Sequence, residues 1–129
     1  MSIFSLKIPR SRKTNIRGKH LLLELYGCDS NKLDDRDYLK SVLEESAVKA
    51  KATILGEVSH KFEPQGVTVL LLLAESHISI HTWPEHRYAA VDLFSCSKDA
   101  KYEEVVDYLK NELSAKKVKS KLLQRGGHE

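Results

Sequence analysis

The chain is predicted to fold as an α+β domain, a mostly antiparallel sheet with two helices on one face. Three observations predict it. Short β-prone runs follow one another between residues 53 and 96, joined by turns too brief for parallel crossovers. Two stretches with apolar residues at helical spacing flank that block. A length of 129 residues suits one compact domain, and 41% hydrophobic residues can supply its core.

The elements run β-α-β-β-β-β-α-β. Residues 1–17 carry Lys7, Arg10, Arg12, Lys13 and Arg17 without an acid, and read as a flexible basic arm. A single domain is expected over residues 18–124. Lys19 to Tyr26 is leucine-rich and reads as a strand covered on both faces. Asp34 and Asp35 offer N-caps for a helix over 35–51, with a stripe of Leu39, Val42, Leu43, Ala47 and Ala50. Thr53 to Glu63 is expected as a strand. Pro64-Gln65-Gly66 is turn chemistry, with Gly66 able to take positive φ. Val67 to Leu73 and Ser76 to Trp83 are central strands. Pro84 to Arg87 turns, and Tyr88 to Cys96 returns as a strand. Asp99 is expected to cap a second helix with the stripe Tyr102, Val105, Val106, Leu109 and Leu113. Val118 to Gln124 ends the domain as a polar edge strand. The leucines at 70–73 leave their strand no clean polar face. The second face of the sheet is therefore expected to pack on the same sheet of a partner subunit.

The bulk properties narrow the function classes. A net charge of +3 is too small to declare a nucleic-acid binder. The basic ends read as solvated termini. Cys28 and Cys96 are too few for a disulfide scaffold, so a reducing cytoplasm and usable thiols are the expectation. The N-terminus lacks a sustained apolar region of the signal-peptide kind. No apolar run approaches the roughly 20 residues of a membrane helix.

Chemistry concentrates in Ala74-Glu75-Ser76-His77-Ile78-Ser79-Ile80-His81-Thr82-Trp83-Pro84-Glu85, directly after the apolar run Val67 to Leu73. Hydroxyls, imidazoles, an indole and carboxylates there read as an active site mounted on a buried sheet. A zinc site on His77 and His81 is disfavoured. Ile78, Ser79 and Ile80 prefer strand, which sets the two imidazoles roughly 13 Å apart, too far for bonds of about 2 Å. No metal is expected. A Ser-His-acid hydrolase has its residue types in Ser76, His81 and Glu75 or Glu85, but lacks the glycine-flanked nucleophile elbow. Taken singly, Ser76 is an ordinary strand-start residue, His81 a core histidine, Cys96 a small buried hydrophobe and Trp83 a packed turn residue. Cys28, His20 and His60 are expected to be structural.

The run Glu75 to Glu85, followed by Tyr88-Ala89-Ala90-Val91-Asp92-Leu93-Phe94 and Cys96, resembles the small prokaryotic class of S-adenosylmethionine decarboxylase. Gly18-Lys19-His20, His60-Lys61-Phe62 and Pro64-Gln65-Gly66-Val67 belong to the same match, which spans roughly residues 18–120. The resemblance implies a two-layer α/β sandwich that dimerises sheet to sheet. It also implies a proenzyme that cuts itself between Glu75 and Ser76 into a β chain, 1–75, and an α chain, 76–129. The cofactor implied is a covalent pyruvoyl group derived from Ser76, which condenses with the substrate α-amine and takes up the electrons left by CO₂.

Further roles follow from the resemblance. His81 matches the histidine that removes a proton during processing, and an imidazole suits that task near neutral pH. Thr68 stands where the family has a serine, keeping the hydroxyl and adding a methyl. Cys96 matches the acid that protonates the product. Phe62 and Trp83 match aromatic positions that meet the sulfonium, a cation without a hydrogen-bond donor. Glu85 matches the carboxylate that holds the ribose hydroxyls. The expected substrate is S-adenosylmethionine, decarboxylated for spermidine synthesis, and the expected assembly an (αβ)₂ homodimer with no nucleic-acid or membrane partner. Rival readings are a pyruvoyl-dependent arginine or ornithine decarboxylase, an RNA-binding module using the basic arm, and a regulatory paralogue without activity.

Overall fold

The structure, a computed structural model, describes residues 16–74 and 76–127. Six strands form one antiparallel sheet in the order β2-β3-β4-β5-β1-β6. They are β1 (Ile16–Tyr26), β2 (Ile54–Lys61), β3 (Val67–Leu73), β4 (Ser76–Trp83), β5 (Tyr88–Ser95) and β6 (Lys117–Gly127). Helices α1 (Ser30–Leu33), α2 (Arg36–Lys49) and α3 (Tyr102–Glu112) complete the fold, with a 3₁₀ turn at Pro84–His86. The expected α+β layering is present, with one short helix more than the sequence suggested. No described helix is long and apolar enough to cross a membrane.

Alternation builds the core. On β4, Ile78, Ile80 and Thr82 are buried, as are Ala89, Val91, Leu93 and Ser95 on β5 and Leu21, Leu23 and Leu25 on β1. They meet Leu39, Val42, Leu43 and Ala47 of α2 and Val105 and Leu109 of α3. Each such leucine contributes roughly 1.5–3 kcal/mol by leaving water. Thr82 is one of the buried polar residues. Its hydroxyl donates to the Leu33 carbonyl at 2.7 Å and accepts from Val67 N–H at 2.9 Å, locking α1 onto the sheet.

Asp35 caps α2 by accepting from Tyr38 N–H, as its sequence position suggested. Asp34, the alternative cap, instead ends α1 and reaches the β2–β3 hairpin. It accepts from Gly66 N–H at 2.8 Å and from Lys61 Nζ at 3.0 Å. The Gly66 N–H is the main reason its carboxyl lies below the usual range. Gly66 takes φ +111°, as its turn requires.

Three expectations need correction. Asp99 does not cap α3. The serine turns Ser95–Ser97 and Ser97–Asp99 carry the chain past it, and Lys101 becomes the N-cap without a side-chain bond. β1 starts at Ile16 and β6 runs to Gly127, because Ile16 pairs with Gly127 and Arg17 with Gly126. The sheet thus claims the last two residues of the expected arm and extends past residue 124, while residues 1–15 lie outside the described residues. Within one chain β1 is covered on one face only, since Leu22, Glu24 and Tyr26 point away from the helices and are half-buried. Cys96, matched to the proton donor in the sequence, is exposed.

Candidate active site

The open face of the sheet carries the chemistry. Strand register arranges it in rows across the strands. One row is His60, Thr68, His81, Ala90 and Glu24; the next toward the far end is Trp83, Tyr88 and Tyr26. In the other direction come Leu70, Ser79, Asp92 and Leu22, then Leu72, His77, Phe94 and His20. Same-face neighbours in adjacent rows lie within reach of long side chains.

Ser76 is the first residue of β4 and pairs with Leu73. Its hydroxyl donates back along the chain to the Ala74 carbonyl, at 3.4 Å. Cys96 stands two residues past Phe94, the partner of His77, and so occupies the same end of the sheet. A Cβ on Gly18 would lie 2.8 Å from Phe94 Cζ, so glycine lets the ring approach β1 this closely, while Cys96 Sγ would sit at an ordinary contact distance of 3.6 Å.

Thr68 and His81 meet at the opposite end. They are cross-strand partners, and Thr68 Oγ1 lies 3.0 Å from His81 Nδ1. In the tautomer that donates Nδ1–H to the hydroxyl, Nε2 is the bare nitrogen available as a base. Phe62 is exposed beside His60, ring centroids 4.5 Å apart, and Trp83 packs on Tyr88 with centroids 5.4 Å apart. Glu85 is exposed in the 3₁₀ turn after Trp83.

The sequence-predicted residues therefore separate into two groups. Ser76 and Cys96 share one end of the sheet; Thr68, His81, Phe62, Trp83 and Glu85 share the other. Along a strand rising about 3.3 Å per residue, Ser76 and His81 are roughly 16 Å apart. They also differ in parity, so β4 turns them to opposite faces.

A polar cluster at the Ser76 end was not anticipated. His20 Nε2 and His77 Nε2 lie 2.7 and 2.9 Å from Asp92 Oδ2, and Ser79 Oγ donates to Asp92 Oδ1. Burial pushes the Asp92 carboxyl up, but the hydrogen bonds from Ser79, His20 and His77 outweigh it and hold it below the carboxylate range. His20, expected to be structural, is part of this cluster. The signal available in the sequence was parity: His77, Ser79 and Asp92 all fall on the polar phase of their strands. At the other end, Tyr88 donates to Glu24, and burial together with that carboxylate lifts its phenol to about 12.

Similarity to known proteins shows the family and the fold. The family model for S-adenosylmethionine decarboxylase matches residues 19–126. The chain is 52% identical over 108 residues to an S-adenosylmethionine decarboxylase proenzyme of Prochlorococcus marinus (strain MIT 9313), covering 84% of this chain and 86% of that protein. It is 40% identical over 112 residues to the proenzyme of Clostridium tetani (strain Massachusetts / E88), covering 87% and 89%. The crystal structure of the Aquifex aeolicus adenosylmethionine decarboxylase superposes with a TM-score of 0.80 at 36% identity, over 89% of this chain and 95% of that one. The Trypanosoma brucei AdoMetDC-delta26 monomer shares the fold at 14% identity and a TM-score of 0.60, over 79% of this chain and 44% of that one. With a family match across the sheet and its helices, the chain belongs to the S-adenosylmethionine decarboxylase family.

Proposed function

We propose that the chain is a proenzyme that cuts itself ahead of Ser76 and then decarboxylates S-adenosylmethionine with a pyruvoyl group. The observation that carries the reading is the place of Ser76, first on β4 with its hydroxyl turned back on the chain before it. A hydroxyl so placed suits attack on the preceding peptide carbonyl, which exchanges the amide for an ester. Loss of the Ser76 α-proton then expels the carboxylate of residue 75, and hydrolysis of the new terminus releases ammonia. The products are a β chain of 1–75 and an α chain of 76–129.

Position 76 fits a pyruvoyl group on the chemistry of its surroundings. The precursor hydroxyl is half-buried, and the exposed thiol of Cys96 shares its end of the sheet. When present, the group supplies a carbonyl that draws off the electron pair left by the departing carboxylate. Cys96 donates the proton that replaces the carboxyl group. Phe62 and Trp83 present exposed aromatic faces to the sulfonium, and Glu85 accepts from the ribose hydroxyls. Thr68 orients His81 through Nδ1 and offers a hydroxyl to the oxyanion of the cleavage step.

The split between the two groups calls for a second copy. When two sheets pack on their open faces about a twofold axis, Thr68 and His81 of one protomer lie over the Ser76 end of its partner's β4 and meet residue 76 from its backbone side, at the α-proton, while its side chain faces the helices. The open face suits that contact: Val58, Leu70, Leu72 and Trp83 are exposed on it. This gives an (αβ)₂ homodimer.

Intact mass spectrometry and ¹⁴CO₂ release test the reading together. The expected result is two fragments in place of one 14.7 kDa species, with label released from carboxyl-labelled S-adenosylmethionine and not from arginine or ornithine. Release from a basic amino acid would transfer the assignment to that substrate. A single intact chain without release would leave a regulatory or RNA-binding protein.

A further inference from the structure

Four side chains on the open face link β6, β1, β5 and β4 in series. Arg125 Nη1 lies 3.0 Å from His20 Nδ1, His20 Nε2 lies 2.7 Å from Asp92 Oδ2, and His77 Nε2 lies 2.9 Å from the same oxygen. The direction of each bond follows from the groups involved. A guanidinium has no acceptor, so Arg125 donates and His20 Nδ1 accepts. The neutral His20 ring then keeps its proton on Nε2 and donates it to Asp92. His77 Nε2 also donates, because an ionised carboxylate only accepts.

The same bookkeeping removes a metal centre. His20, His77 and Asp92 offer ligand atoms within 4.8 Å of one another. A metal would need the Nε2 lone pair of His20 and would force the proton onto Nδ1. That proton would face the Arg125 N–H, donor against donor. The four groups are consistent as a hydrogen-bond chain and inconsistent as a ligand set.

The chain ends on His77, the residue directly after Ser76. In the intact polypeptide, position 76 is restrained on one side by β3 through the Leu73 pair and on the other by β4 itself. Cleavage ahead of 76 turns this point into a chain end, and chain ends open locally far more easily than strand interiors. On the β5 side the first backbone pair beyond the break is His77 with Phe94. We propose that Asp92, braced by His20 and Arg125, is a positioning residue that grips His77 and holds the new chain end at position 76 on the sheet beside Cys96. The proposal rests on the cleavage reading above and adds what keeps the cut end in place.

Hydrogen exchange of the amides at residues 77–80 tests it. Each variant is measured in the cleaved protein and in an uncleaved background fixed by Ser76→Ala. In the cleaved protein, His77→Ala and Asp92→Asn are expected to speed exchange about tenfold or more, against less than about twofold in the uncleaved background. His77→Gln places an amide N–H near the position of Nε2 and restores protection to within about twofold. In turnover, His77→Ala and Asp92→Asn lower kcat about tenfold and leave KM within about twofold, since the chain end moves and the substrate pocket does not.

Equal acceleration in both backgrounds would make the cluster an ordinary fold contact and overturn the proposal. Unchanged exchange in the cleaved protein would overturn it too. Should His77→Ala and Asp92→Asn fail to fold, His20→Gln decides the matter. It keeps an N–H near the position of Nε2 as donor to Asp92, takes away the Nδ1 atom that Arg125 meets, and is expected to give about a threefold effect confined to the cleaved form. A wild-type chain that stays whole at 14.7 kDa sinks the cleavage reading and this proposal with it. Normal cleavage with unchanged exchange sinks this proposal alone.

Discussion

Ser76 and His81 sit on the same strand yet on opposite faces of the sheet, roughly 16 Å apart along β4. His81 is instead held by Thr68, whose Oγ1 is 3.0 Å from its Nδ1. A base in that position cannot reach the α-proton of its own Ser76 without dismantling β4, and β4 is paired along its whole length with β3 or β5.

The proposed sharing of the site between subunits gives a complementation test. Ser76→Ala and His81→Ala are each expected to remain uncut when expressed alone. Co-expressed, they form mixed dimers in which the His81→Ala chain meets an intact His81 from its partner and is cut. Mass spectrometry of the mixture reads the result. No cut fragment after exchange of subunits would place the whole site within one chain.

Thr68→Val keeps the shape of the side chain and removes the hydroxyl that meets His81. Its cleavage rate is expected to fall about 10²-fold, the scale of one lost oxyanion donor. Thr68→Ser is expected to stay within about tenfold of the wild type. The fraction of cut chain followed over time after refolding checks both.

Cys96→Ala leaves no thiol at the Ser76 end of the sheet. Cleavage is expected to proceed, because Cys96 takes no part in it, while kcat falls about 10²–10⁴-fold, the usual scale for loss of a general acid. Unchanged turnover in the fully cut variant would remove Cys96 from the reaction.

Gly18→Ala puts a methyl 2.8 Å from Phe94 Cζ. The overlap is expected to cost about 1–3 kcal/mol, read as a lowered urea midpoint. Phe94→Leu in the same chain removes the ring edge and is expected to recover most of the loss. Failure to recover would mean that Gly18 is needed for its backbone and not for its missing side chain.

Asp92 ties stability to acid. Its folded pKa is depressed, so its contribution is present above the unfolded carboxylate value of about 4 and fades as pH falls through the folded value. Asp92→Asn is expected to be the less stable protein at pH 6, with the gap to wild type closing as pH drops below about 4. Urea midpoints across that range measure it. A gap independent of pH would show that the carboxylate charge is not what the cluster uses.

Much of this was legible in the order of residues. The strands at 67–73, 76–83 and 88–95, the Asp35 cap and the Gly66 turn follow from short β-prone apolar runs bounded by turns, capping chemistry and backbone freedom, which are local. The cap of α3 was misread because two serine side chains turn the backbone before the helix, and their competition with Asp99 depends on actual distances. Residue types at Ser76, His81, Trp83 and Cys96 marked the chemistry through one long matching segment.

The sequence by itself determined the layers, the candidate residues and the strand parity, because hydrophobic period and side-chain chemistry are written position by position. Only the tertiary structure decided which residues meet. Strand order places β1 and β6 beyond β5, bringing Arg125 and His20 to Asp92 from distant parts of the chain. The rise and pleat of β4 keep Ser76 from His81, since a strand separates in space and by face what the sequence sets five residues apart.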